Sequence, residues 1–185
     1  MARFLLTLAL LLAASSSAIA QDMPLSQILL DGEGWKKAGA PGKPLRTRAT
    51  PLTTYSADGG TVFIANAGEP FAGAGLRTTG APFLLAAPAD LKGKPIWKGV
   101  PYAPLRTKRG ERGIAVTGLA TDRDGRIYAA TELGVQVFDP TGRLCGVLAP
   151  AANGTPEHLA FEGDALTLWV GNAKYARKLN TAGAR

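Results

Sequence analysis

The stretch Val116-Thr117-Gly118-Leu119-Ala120-Thr121-Asp122-Arg123-Asp124-Gly125-Arg126-Ile127-Tyr128-Ala129-Ala130-Thr131-Glu132-Leu133-Gly134-Val135-Gln136-Val137-Phe138-Asp139-Pro140-Thr141-Gly142-Arg143 constrains the fold more than any other. Its three short apolar runs are separated by Asp124-Gly125, Glu132-Leu133-Gly134 and Asp139-Pro140-Thr141-Gly142, turn sequences in which glycine supplies a positive φ. Runs this short and this closely punctuated predict an antiparallel meander rather than helices. Leu144-Cys145-Gly146-Val147-Leu148 supplies a fourth strand, and a four-stranded unit of this kind is what a propeller repeats about its axis.

The unit recurs. Leu119-Ala120 returns as Leu159-Ala160, and the turn ending at Gly142 returns as Asn180-Thr181-Ala182-Gly183, a spacing of about 40 residues that fits one blade. Upstream, Ala57-Asp58-Gly59-Gly60-Thr61-Val62-Phe63-Ile64-Ala65 parallels Arg123-Asp124-Gly125-Arg126-Ile127-Tyr128-Ala129. The expected fold is therefore all-β, a partial propeller of about three four-stranded antiparallel blades. Its first blade takes Thr53-Thr54-Tyr55-Ser56, Val62-Phe63-Ile64-Ala65, Pro82-Phe83-Leu84-Leu85-Ala86-Ala87 and Pro95-Ile96-Trp97-Lys98. The last blade runs from Glu157 to Leu179, with a tail from Ala182 expected to fray. The excess length between the first two blades is expected to lie as loop on one face of the disc.

Three regions follow. Residues 1–20 read as a secretory signal peptide, because Met1-Ala2-Arg3 precedes a short apolar core and Ala18-Ile19-Ala20 ends it. The apolar run is about half of the roughly 20 residues needed to cross a bilayer, so no membrane span is expected. Residues 21–49 form a lead-in and a basic linker, in which Pro24 to Leu30 makes a short strand or one helical turn and Trp35 anchors it. Residues 50–185 form the propeller. The protein is thus expected outside the cytoplasm, in a periplasm or outside the cell.

Cys145 is the single cysteine, so an exported chain of this kind has no internal disulfide and is held by packing. The formal charge is +7. Its basic residues are spread over loops such as 36–48 and 92–112, read here as free of aromatic interleaving and of any nucleic-acid-binding signature, so no nucleic-acid partner is expected. Gly73-Ala74-Gly75 lacks the further glycine or the Lys-Ser/Thr of a phosphate loop, and no serine-hydrolase or zinc-protease motif is present. Asp122 and Asp124 suggest a calcium loop, but the ligand spacing fails and a hairpin turn is the better reading.

The run from Gly118 to Thr131, followed by Leu133-Gly134-Val135-Gln136-Val137-Phe138-Asp139-Pro140-Thr141-Gly142-Arg143, resembles the penultimate blade of the senescence-marker-protein / gluconolactonase / luciferin-regenerating-enzyme family. The likeness covers residues 51–179. It implies a six-bladed propeller that hydrolyses a small lactone or sugar lactone, using a divalent metal such as calcium or zinc held by oxygen ligands at the channel mouth. In that chemistry the cation polarises the lactone carbonyl and a carboxylate takes a proton from water. The family's metal-binding Asp falls at Thr117, a hydroxyl without charge, and the Glu and Asn ligands of other blades have no counterpart. Glu157 and His158, opening the next blade's first strand, are the candidate catalytic pair, and Thr117 the candidate metal position. Two functions are thus expected: an incomplete or impaired lactone hydrolase, or a non-catalytic propeller fragment that binds a partner or is a degenerate remnant, with no cofactor. Three blades leave end faces uncovered, and a homodimer completing the ring is the expected remedy.

Overall fold

A computed structural model describes residues 23–39, 52–65 and 81–184; the predicted leader, the 68–80 glycine loop and most of the basic linker lie outside the described residues. A 3-10 turn, Leu25–Gln27, is followed by twelve strands: β1 Lys36–Lys37, β2 Leu52–Tyr55, β3 Thr61–Ala65, β4 Phe83–Pro88, β5 Val100–Pro104, β6 Gly118–Thr121, β7 Ile127–Thr131, β8 Gly134–Phe138, β9 Leu144–Leu148, β10 Pro156–Glu162, β11 Ala165–Val170 and β12 Ala173–Lys178. They form three four-stranded antiparallel sheets, ordered β2-β3-β4-β5, β6-β7-β8-β9 and β1-β12-β11-β10. The first strands β2, β6 and β10 lie side by side, which makes the sheets three blades of a partial propeller.

The middle blade shows why its sequence is apolar on both faces. Every residue of β7 and β8 is buried, because neighbouring blades cover both sides of the sheet. Alternation along β7 sends Ile127 and Ala129 to the first blade, where they meet Phe63 and Leu84. Tyr128 and Ala130 go the other way and pack with Leu159, Leu166 and Leu168 of the last blade. Burying each large side chain contributes about 1.5 to 3 kcal/mol, enough to make the two seams the main stabilising surfaces.

Three hairpin turns share one construction, Asp-x-x-Gly-Lys/Arg, at 90–94, 122–126 and 139–143. In each, the Asp Oδ1 accepts hydrogen bonds from the amides two and four residues on, at 2.7 to 3.0 Å. The glycine, at φ 74°, 85° and 85°, takes a conformation that other residues adopt only with strain. The middle turn is a hairpin turn, as expected over a calcium loop.

The structure corrects the sequence reading in four places. The fourth strand of the first blade is β5, not Pro95–Lys98, which belongs to an excursion between β4 and β5. The last blade has a fourth strand of its own: Lys36 and Lys37, assigned to the linker, pair with Ala176 and Tyr175 of β12. The tail from Ala182 pairs rather than frays, since Arg123 N donates to Ala182 O at 2.9 Å and Ala184 N to Thr121 O at 2.8 Å. Finally, the far face of the first blade is not an open apolar surface, because Val62, Ile64, Leu85 and Ala87 are buried together. The lead-in takes the helical-turn alternative, with Ile28 buried in the core, and Trp35 anchors it by donating Nε1–H to Ala149 O at 2.8 Å.

Candidate functional site

The candidate residues stand where β6 and β10 begin. Gly118 opens β6 with its backbone against the last blade: a Cβ there would lie 2.6 Å from Leu159 N and 2.7 Å from Leu159 Cβ. No larger residue fits, so glycine is what lets the two inner strands approach this closely and brings Thr117 to the same end as His158. Thr117 is half-buried, and its hydroxyl donates to Ala130 O at 3.3 Å while its amide donates to the same oxygen at 2.9 Å. The hydroxyl proton is therefore directed into its own sheet.

His158 and Glu157 diverge. The register of β10 against β11 shifts between Pro156 and His158, and Glu157 is the extra residue of this bulge, exposed to solvent. His158 pairs with Trp169 across the sheet, its ring centroid 5.0 Å away at 63°. Burial holds the imidazole below its ordinary pKa of 6.5, so it is neutral at pH 7. Trp169 in turn lies beneath the Lys174 ammonium, 5.1 Å from the ring centroid, and Lys174 pairs with Glu162 at 2.6 Å. His158 is thus the first member of a cross-strand row His158, Trp169, Lys174 on the sheet face, a row not foreseen in the sequence, where only cross-strand register brings these three positions together.

The described residues around Thr117 do not offer a ligand set for a divalent ion. Thr117 brings no negative charge, and among the described residues no group of three or more His, Cys, Asp or Glu side chains is placed to share an ion. Asp122 and Asp139, the most buried carboxylates, are occupied by turn amides and by Arg126 and Arg143. Cys145, half-buried in β9, has its thiol pKa raised by burial, with Asp139 adding to the effect, which keeps it protonated.

Three radially adjacent four-stranded sheets define the class: a segment of a β-propeller. Among solved structures it is similar to a calcium-binding protein, regucalcin, from Agrobacterium tumefaciens, with a TM-score of 0.51 and 17% identity over 72% of this chain and 46% of that one. It also matches a gluconolactonase from Xanthomonas campestris, with a TM-score of 0.48 and 18% identity over 70% of this chain and 37% of that one. The fold is accordingly regucalcin-like, and the chain spans less than half the length of either protein. No protein-family model matches the sequence, and comparison with curated proteins finds no match. No helix among the described residues is long and apolar enough to cross a membrane.

Proposed function

We propose that this chain is an exported propeller segment that works by binding rather than by hydrolysing sugar lactones. The observation that carries this reading is Thr117. Where the resemblance expects a metal-binding carboxylate, a neutral hydroxyl stands, which donates a hydrogen bond to Ala130 O at 3.3 Å. Lewis-acid catalysis needs anionic oxygen ligands to hold a hard cation, and a single neutral hydroxyl does not supply that charge. Export is proposed from the leader-like sequence of residues 1–20, independently of the fold.

Lactone hydrolysis is the second reading, favoured by one feature: a neutral, half-buried imidazole beside a carboxylate-bearing bulge on an inner strand. One experiment separates the two. The purified chain is incubated with a sugar lactone, with and without added calcium or zinc, and acid release is followed. The expected result is the spontaneous rate under every condition. Metal-dependent release that disappears in Glu157→Ala or His158→Ala overturns the binding reading and reinstates the hydrolase.

A further inference from the structure

The β4–β5 excursion has a composition and exposure unlike the rest of the surface. Among the described residues seven large hydrophobic side chains are exposed, and four of them fall within residues 91–100: Leu91 at 107%, Ile96 at 61%, Trp97 at 54% and Val100 at 55%. A fifth, Tyr55, joins them, since its ring lies 3.5 Å from the Cβ position of Gly93. Scattered exposed hydrophobics need no explanation, but this concentration does.

The turn that carries Leu91 sharpens the point. It is built like the turns at 122–126 and 139–143, whose second positions hold Arg123 and Pro140, both exposed. Here the same rigid turn presents a fully exposed leucine. Lys92 and Lys94 come after it in the turn and Lys98 follows Trp97, all three exposed. Asp90 is the one acidic residue of the stretch, and its Oδ1 is occupied by the Lys92 and Lys94 amides at 2.8 and 2.7 Å. Trp97 also corrects the reading that no aromatic side chain interrupts the basic 92–112 stretch.

We infer that residues 90–100 form a contact for an anionic lipid bilayer, with Leu91, Ile96 and Trp97 entering the headgroup layer and Lys92, Lys94 and Lys98 meeting lipid phosphates. Tryptophan favours the membrane interface because its ring is apolar and its N–H seeks a polar partner, and each nearby lysine adds attraction to anionic lipid. A second copy of this chain is a poor occupant, because a two-fold contact would set lysines against lysines. The inference stands whether or not the chain hydrolyses lactones.

The test uses the full chain and its Trp97→Phe variant with phosphatidylcholine vesicles, with or without phosphatidylglycerol, carrying brominated acyl chains. The difference between the two proteins isolates emission from Trp97, so an apolar leader tethering the chain elsewhere does not imitate the signal. Trp97 emission is expected to be quenched on the anionic vesicles. Changing Lys92, Lys94 and Lys98 together to Glu, with circular dichroism unchanged, is expected to weaken the Trp97 signal's dependence on anionic vesicles by roughly a hundredfold. Trp97 emission that anionic vesicles leave unquenched overturns the inference, including where the same hairpin proves to capture an acidic protein. Equal quenching on uncharged vesicles, or in the lysine variant, overturns it as well.

Discussion

His158 shows how one side chain's surroundings become a measurable property of the whole chain. Its folded pKa lies below 6.5 because burial disfavours the imidazolium. The unfolded chain therefore takes up this proton more readily than the folded one. The associated stability is fully present above pH 6.5 and is lost as the pH falls through the folded pKa. Melting temperatures measured from about pH 7 down to about pH 5 are expected to fall less steeply in His158→Gln than in the parent protein. A slope that the substitution leaves unchanged assigns the acid sensitivity to other groups. Position alone marked this residue in the sequence, since it is the only histidine and opens a strand. Its partner Trp169 was not legible, because register across β10 and β11 is fixed only when the bulge at Glu157 is known.

At the scale of elements, the β6–β7 turn is more than a reversal of direction. Asp122 and Arg126 form an ion pair at 3.2 Å, with side chains 0% and 4% exposed, and Tyr128 donates its hydroxyl to the same Asp122 carboxylate at 2.9 Å. Arg126 Nη2 also donates to Gln27 Oε1 at 3.2 Å, and Thr181 Oγ1 donates to Asp124 Oδ2 at 3.2 Å. The turn thereby joins the lead-in, the middle blade and the tail. Arg126→Met leaves a buried carboxylate without its counter-charge and is expected to cost about 3 to 5 kcal/mol in urea denaturation. Asp122→Asn combined with Arg126→Met is expected to cost less than the two single changes added together, because neither partner is then stranded. The Asp-Gly signal of this turn was readable, as were those of the middle blade, where turn chemistry and apolar runs agree. Its buried salt bridge was not, since nothing local distinguishes Arg126 from the exposed Arg123.

For the whole molecule, the repeat spacing and the two-faced apolar runs were sufficient to predict three blades, and they failed where a strand is short or distant from its partners. Lys36 and Lys37 carry no apolar pattern, so only the exposed edge of β12 gives them a reason to be a strand. Self-association was expected from uncovered end blades, but Val62, Ile64, Leu85 and Ala87 are buried, Pro101 and Pro104 interrupt the β5 edge, and two lysines occupy the β1 edge. Prolines and lysines at sheet edges oppose pairing with another chain. Light scattering is expected to give the mass of one chain, 19.2 kDa, or less if a leader is removed; twice that mass restores closure of the ring by a second copy. The joining of β1 to β12 has a temporal consequence as well. Lys36 and Lys37 stand some 140 positions before their partners in the chain, so this blade cannot close until the whole stretch between them is in place. Until then the early lead-in remains unpaired, and final closure depends on a contact between segments far apart in sequence, the kind of step that makes folding slow.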